Sequence, residues 1–229
     1  MNQIEFILKR NQWLEDVSNQ CHEYALKCDL DFYVFQTPVD LYNPDLLIIG
    51  INPGGGKPYS ELLIQKGYSK RSATDLAYDV NTLTTKPQWE IEGKLKGNDV
   101  MRSSFSRVFT KENSLEKVLQ NTVMMNMFYF NTPKEKDLSA IPQEMQDYCL
   151  RKTIEFIEIL NPKNILFLTS DESKLKHSGI KEIKYLENNV KQGLLLNRTA
   201  TVIPHYSYFG AYSKEKGALM GMTLRKLFK

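Results

Sequence analysis

Cysteine is scarce in this chain, and neither sign of charge is in marked excess. Of 229 residues only Cys21, Cys28 and Cys149 are cysteines, and no two form a CxxC pair. That spacing argues against a zinc ribbon or a disulfide framework, and it reads as buried, reduced thiols in a cytoplasmic protein. The 30 lysines and arginines barely outnumber the 27 acids, leaving a net charge of +3. Such a balance permits contact with nucleic acid without demanding it, because dedicated binders carry a stronger basic stripe. No apolar run approaches the roughly 18 residues of a membrane helix. The opening Met1 to Phe6 shows no basic region leading into a long apolar stretch, so no signal peptide is expected. Asn197-Arg198-Thr199 matches a glycosylation sequon, which carries no weight without secretion. Internal repeats and low-complexity tracts are lacking too.

What is present is ordinary for a globular protein: 41% hydrophobic and 25% charged residues. The length fits one domain over residues 1–229, with residues 1–44 as an N-terminal helix and connector packing on the core, and a monomer is expected. Ile4, Ile7, Leu8, Leu14, Val17, Cys21 and Ala25 recur at helical spacing. Residues 46–49, 123–129, 165–168 and 201–203 read as strands, the first apolar enough for burial on both faces. Between them, Pro142 opens a long helix that Asn161-Pro162 ends. Residues 214–228 form a last helix, whose Gly217 and Gly221 share one face and would let it approach the sheet closely. Residues 180–196 are open between short strands and an irregular connection. The polar stretch 57–102 reads as an elaborated loop with short helices. Alternating strands and helices predict an α/β fold, a three-layer α/β/α sandwich around a four-stranded, mostly parallel sheet.

The most telling stretch is Gly50-Ile51-Asn52-Pro53-Gly54-Gly55-Gly56 after the first strand. The carboxyl end of a strand in such a sheet opens onto a crevice. A phosphate-binding P-loop fails here, because Ile51 stands where its first glycine belongs and Pro58 where a hydroxyl belongs. No GxGxxG opens a helix either. What remains is an amide, Asn52, held by Pro53 among glycines that allow close backbone approach. A tight βα turn with asparagine chosen for its turn chemistry is the plainer alternative. Asn126 lies in an apolar strand, where an unbonded amide costs roughly 1–3 kcal/mol. It is either a structural amide or the floor of a pocket. His205 follows a strand and Pro204 in an aromatic loop, a better setting for function than those of His22 and His177.

Taken together these segments resemble the uracil-DNA glycosylase superfamily. Gly50-Ile-Asn-Pro-Gly54 is similar to the first motif of its mismatch-specific and single-strand-selective branches. Met125-Asn126-Met127, followed by Asn131-Thr132-Pro133, resembles the strand with the family's base-reading asparagine. Ile141-Pro142-Gln-Glu and Leu160-Asn-Pro-Lys-Asn-Ile-Leu-Phe-Leu-Thr169 resemble the helix and strand before its second motif, and His205-Tyr206-Ser207 stands where the family has His-Pro-Ser. The match runs in order from about Asp45 to Phe228. Tyr206 departs from the motif's proline, and Tyr208-Phe209 from the usual DNA-inserting residues. Cys149 matches one ligand of the iron–sulfur branch, but Phe130 occupies a second ligand's place and no CxxC precedes, so neither a cluster nor any other cofactor or metal is expected.

The resemblance implies base excision in DNA repair, a deaminated base being flipped from the stack and cut from its sugar. His205 would stabilise negative charge on the departing base, Asn52 would position the attacking water, and Asn126 would read the uracil edge. Gly50, Ile51, Pro53, Gly54 and Ser207 would line the substrate, and Tyr59 would lie over the base as an aromatic lid. Lysines and arginines of 57–102, among them Lys66, Lys70, Arg71, Lys86, Lys94 and Lys96, would contact phosphates. The partner is DNA carrying uracil or another damaged base, single-stranded in one version. Two alternatives stand beside this reading: a catalytically weak or inactive member of the fold that binds a nucleobase, nucleotide or nucleic acid, and a hydrolase of small nucleosides.

Overall fold

The computed structural model describes residues 1–55, 57–94, 99–132, 135–169 and 171–228, without the side chains of 135–137 and 209. Its sheet contains β1 (Leu46–Gly50), β2 (Thr122–Asn126), β3 (Asn164–Leu168), β4 (Lys181–Tyr185), β5 (Lys191–Leu195) and β6 (Arg198–Ile203). Their order is β2-β1-β3-β6-β5-β4, and the sheet is mostly parallel. The helices are α1 (Gln3–Cys28), α2 (Tyr59–Lys66), α3 (Gln88–Glu92), α4 (Asp99–Val108), α5 (Leu115–Gln120), α6 (Gln143–Leu160), α7 (Glu172–His177) and α8 (Lys214–Leu227). The α/β class is as expected, but the sheet has six strands instead of four. The two additional strands are the ambiguous stretch: β4 pairs antiparallel with β5, and β5 antiparallel with β6. Every residue of β1, β2 and β3 is buried, whereas β4 is exposed at four of its five positions. An exposed edge strand lacks the apolar run that marks a buried one.

The chain divides into two compact units. One comprises Met1–Pro44, Ile49–Ala77 and Val123–Pro162, the other Asp45–Ile48, Tyr78–Thr122 and Lys163–Lys229.

In the first unit, α1 begins at Asn2, whose side chain accepts from the Glu5 amide at 2.9 Å, a standard N-cap. Its inner face buries Phe6, Trp13, Val17 and Cys21. Trp13 packs on Phe156 of α6 with centroids 4.5 Å apart, and its indole N–H donates to the Lys152 carbonyl at 3.1 Å. α6 starts after Pro142 and ends at Asn161 in the left-handed conformation, before Pro162. The connector through residues 32–37 runs along the outer side of β2. There the Gln36 amide donates to the Met124 carbonyl (2.8 Å) and the Asn126 amide to that of Val34 (2.9 Å). The Thr37 hydroxyl takes the Met124 N–H at 2.8 Å.

The second unit holds β3 to β6. The parallel β3–β6 register sets Leu168 opposite Ile203, so both strands end side by side. α7, a helix of six residues capped by Asp171, has too few turns to show a period in the sequence. α8 makes its close approach to α4, not to the sheet. A Cβ at Gly217 would lie 2.8 Å from Arg107 Cβ, and one at Gly221 only 2.3 Å from the Val108 carbonyl oxygen. Arg102 of α4 reaches α3 with a two-pronged bond to Glu90 (2.7 and 2.9 Å), and its Nε donates to the Thr82 carbonyl at 2.9 Å.

Candidate functional site

The first candidate site lies wholly within the first unit. Beyond β1 the backbone does not turn away at once. It runs beside the chain that leaves β2: Met127 N–H donates to the Gly50 carbonyl and Phe128 N–H to that of Ile51, each at 2.8 Å. Farther on, Thr132 N–H donates to the Pro53 carbonyl (3.4 Å) and Gly55 N–H to the Thr132 carbonyl (3.2 Å). These bonds hold the first-motif turn against the second expected segment, so Gly50, Ile51, Asn52, Pro53 and Gly54 are brought together with Asn126. Position 50 has little room for a side chain. A Cβ there would sit 3.0 Å from Asn126 Oδ1.

Asn52 is half-buried, and its Nδ2 donates to Thr132 Oγ1 at 2.9 Å and to the Pro53 carbonyl at 3.0 Å. Both amide protons are thereby spent on protein acceptors. The carbonyl oxygen is the end left to act on a water. Asn126 is buried, with Nδ2 donating to the Tyr33 carbonyl at 3.0 Å. One amide proton thus does structural work, as the plainer alternative held. Asn131 is buried too, and its Oδ1 has no hydrogen-bond partner among the described residues. An orphaned buried acceptor next to Thr132 needs a donor from elsewhere.

Thr132 and Asn131 received no individual role from sequence reasoning. Their signal in the sequence was the run Asn131-Thr132-Pro133, which follows the second strand and belongs to the resemblance. Gly56 and Pro133 fall outside the described residues.

Tyr59 is not a lid. It is fully buried, with its hydroxyl 2.8 Å from His22 Nδ1 and accepting the Arg71 amide at 3.2 Å. Its ring packs tilted on Phe32 at 5.9 Å. Opening α2 puts this aromatic on the face that meets the core, so its burial follows from helix orientation.

Two of the expected phosphate contacts are also lost to the interior. Arg71 is buried against Asp31 at 3.3 Å and lies over the Tyr33 ring at 4.2 Å. Arg102 is buried against Glu90. Burial nevertheless pushes the Asp31 carboxyl up, the Tyr33 and Arg71 contacts opposing it. Lys57, Lys66, Lys70 and Lys94 are exposed, and Lys86 is half-buried. Lys57 pairs with Glu61 at 2.6 Å, and Lys86 with Asp99 at 3.4 Å. Lys96 lies outside the described residues.

The second candidate site belongs to the second unit. His205 follows β6, half-buried, with Nδ1 2.7 Å from the Ser207 hydroxyl and accepting the Ser207 amide at 3.3 Å. A backbone N–H can only donate, so Nδ1 accepts here, an arrangement that suits the tautomer with its proton on Nε2. The imidazole stacks on Tyr206 with centroids 3.9 Å apart, and Tyr206 meets Phe105 edge-on at 6.2 Å. Ser104 Oγ donates to the Tyr206 carbonyl at 3.2 Å, and the Tyr212 hydroxyl donates to that of Pro204. Burial raises the Tyr206 phenol, keeping it neutral under the imidazole. Tyr206 therefore backs one face of the histidine ring. Ser207, expected at the substrate, orients the imidazole.

Among the described residues, no three histidine, cysteine or acidic side chains gather as a metal site. No helix among them is long and apolar enough to cross a membrane. No protein-family profile and no curated protein matches the chain.

Proposed function

We propose that this protein is an N-glycosidic hydrolase of the uracil-DNA glycosylase type, removing uracil or another deaminated base from DNA. The observation that carries the reading is the orientation of Asn52, whose two amide protons are taken by Thr132 and Pro53, which leaves its oxygen to accept a hydrogen bond from a water. In the reaction the C1′–N bond breaks and its electron pair leaves with the base. Water adds its oxygen to the oxocarbenium-like sugar carbon, and the proton it loses ends on the departing base anion. The resemblance gives His205 the role of stabilising the charge that grows on the base O2, and a proton on Nε2 would suit it to that role. A preorganised donor of this kind is worth ~3–4 kcal/mol. Asn126 accepts the uracil N3–H at Oδ1 and gives its second amide proton to O4. Cytosine presents the opposite pattern at these atoms.

The test is to incubate the protein with uracil-containing single- and double-stranded oligonucleotides and then cleave abasic sites. Strand scission is expected, and Asn52→Ala and His205→Ala should each abolish it with an unchanged melting curve. No scission on any deaminated base would end the enzyme reading.

A second reading has its own support. Asn126 already spends one amide proton on Tyr33, and position 52 carries an amide where the most active branch of the resembled superfamily has a carboxylate. Both suit a binding module that holds a base without turnover. Oligonucleotide binding with no scission would select it.

A further inference from the structure

A cavity of about 450 Å³ lies at the carboxyl ends of β3 and β6, within the second unit. Its volume falls in the range of ligand sites. Val190, Val202, Ile203 and Pro204 give it a buried, apolar floor. Its rim is unusual: Tyr185 is 69% exposed and Tyr208 64% exposed, two large rings on one apolar hollow. Lys191 stands at the same rim with Nζ 4.5 Å from the Tyr185 ring centroid, held by Glu172 at 3.2 Å and by the Tyr185 hydroxyl at 3.4 Å. Aromatic faces, an apolar floor and one fixed cation are what a nucleotide unit requires. The base stacks on a ring, and the phosphate competes with the Glu172 carboxylate for Lys191. A large single-sign field is not needed for one phosphate.

The cavity is also tied to the histidine loop. Tyr208 N–H donates to the His205 carbonyl at 2.9 Å, and Pro204 immediately precedes His205. We propose that this cavity, beside the His205 loop, holds an unstacked nucleotide of the bound strand, and that the substrate is accordingly single-stranded. The inference rests on the glycosylase reading for the word substrate and on the cavity alone for nucleotide binding. In a duplex the neighbouring base stays stacked and paired, and the cavity would remain unfilled. A single strand gives up that base at little cost.

The experiment uses the full chain and uracil-free probes, so that binding is read apart from excision. Fluorescence anisotropy compares a labelled oligothymidylate, the same strand in duplex, and thymidine monophosphate as competitor. The single strand should bind at least tenfold tighter than the duplex. Tyr185→Ala and Tyr208→Ala should each weaken it about tenfold or more, while Tyr185→Phe keeps the affinity because the ring is retained. Lys191→Ala should reduce the salt dependence by about one phosphate. Both tyrosines are exposed, and unchanged thermal melts would verify folding. Equal binding of single strand and duplex, or alanine variants that bind the strand like wild type, would overturn the proposal. Competition by the monophosphate as strong as by the strand would overturn the strand assignment and make a free nucleotide the ligand. A protein that binds strands through these tyrosines yet excises nothing would refute the glycosylase reading and keep the cavity's.

Discussion

Asn52 acts through a neighbour that gives it direction. An asparagine side chain can rotate and present either end; the Pro53 carbonyl at 3.0 Å, which can only accept, selects one, and the Thr132 hydroxyl at 2.9 Å holds it there. Thr132→Val keeps the shape and removes the acceptor, so the amide is no longer held. We expect excision to fall 10- to 100-fold, with Thr132→Ser restoring most of it, measured as single-turnover rates on a uracil oligonucleotide. A merely structural role would lower the melting temperature in step with activity; the positioning role lowers activity alone. At this scale the sequence was informative where chemistry and chain geometry coincide. Gly50, Asn52 and Asn126 could be singled out because an amide in a glycine turn and an amide in an apolar strand both demand explanation. Tyr59, Arg71 and Arg102 were misjudged for one common reason. A tyrosine or arginine is amphipathic, and only the partners it meets, here His22, Asp31 and Glu90, decide whether it faces inward.

The elements divide along the same line. Strands β1, β2, β3 and β6 and helices α1, α6 and α8 could all be read from apolar period, proline and asparagine signals. β4, β5 and α7 could not, because they are short and half in water, and their structure comes from the β6 edge and from Asp171. The partner of the α8 glycine face was also hidden, since a small-residue stripe shows that something comes close without showing what. That contact makes a sharp prediction. In a helix interior alanine is favoured over glycine by about 1 kcal/mol, so an open site at position 221 would be stabilised by Gly221→Ala. The Cβ would instead meet the Val108 carbonyl oxygen at 2.3 Å and the Asn113 amide nitrogen at 2.2 Å. Overpacking against backbone costs about 1–3 kcal/mol. We expect a net loss of stability and a lower urea midpoint for Gly221→Ala, whereas the same change at Gly54, where a Cβ meets nothing within 4 Å, should leave the midpoint nearly unchanged.

At the scale of the molecule, burial of ionisable groups sets the response to pH. Burial pushes Cys149 and Tyr24 up to about 12, and raises Cys21 and Tyr129 as well. An unfolded thiol loses its proton near pH 8.5 and an unfolded phenol near pH 10. Above those values the unfolded chain binds fewer protons than the folded one, so stability is full below about pH 8.5 and declines as pH climbs toward 12. Urea midpoints between pH 8 and 11 should fall steadily. Cys149→Ser, which removes one of these protons, should make the decline shallower by up to about 1.4 kcal/mol per pH unit. A flat profile would show that these groups are solvated.

The two edges of the sheet are finished in different ways. β2 is overlain by residues 32–37, which take up its outward amides and carbonyls. β4 is exposed instead: it presents Lys181 and Lys184 to solvent, its register slips between them, and Glu182 adopts a positive φ of 52°. Lysines and an irregular ladder make a strand a poor template for another strand. Replacing both lysines with valine would give a smooth apolar ribbon at an open margin. The expected outcome is self-association into fibrils that bind thioflavin, from a protein whose core is unchanged.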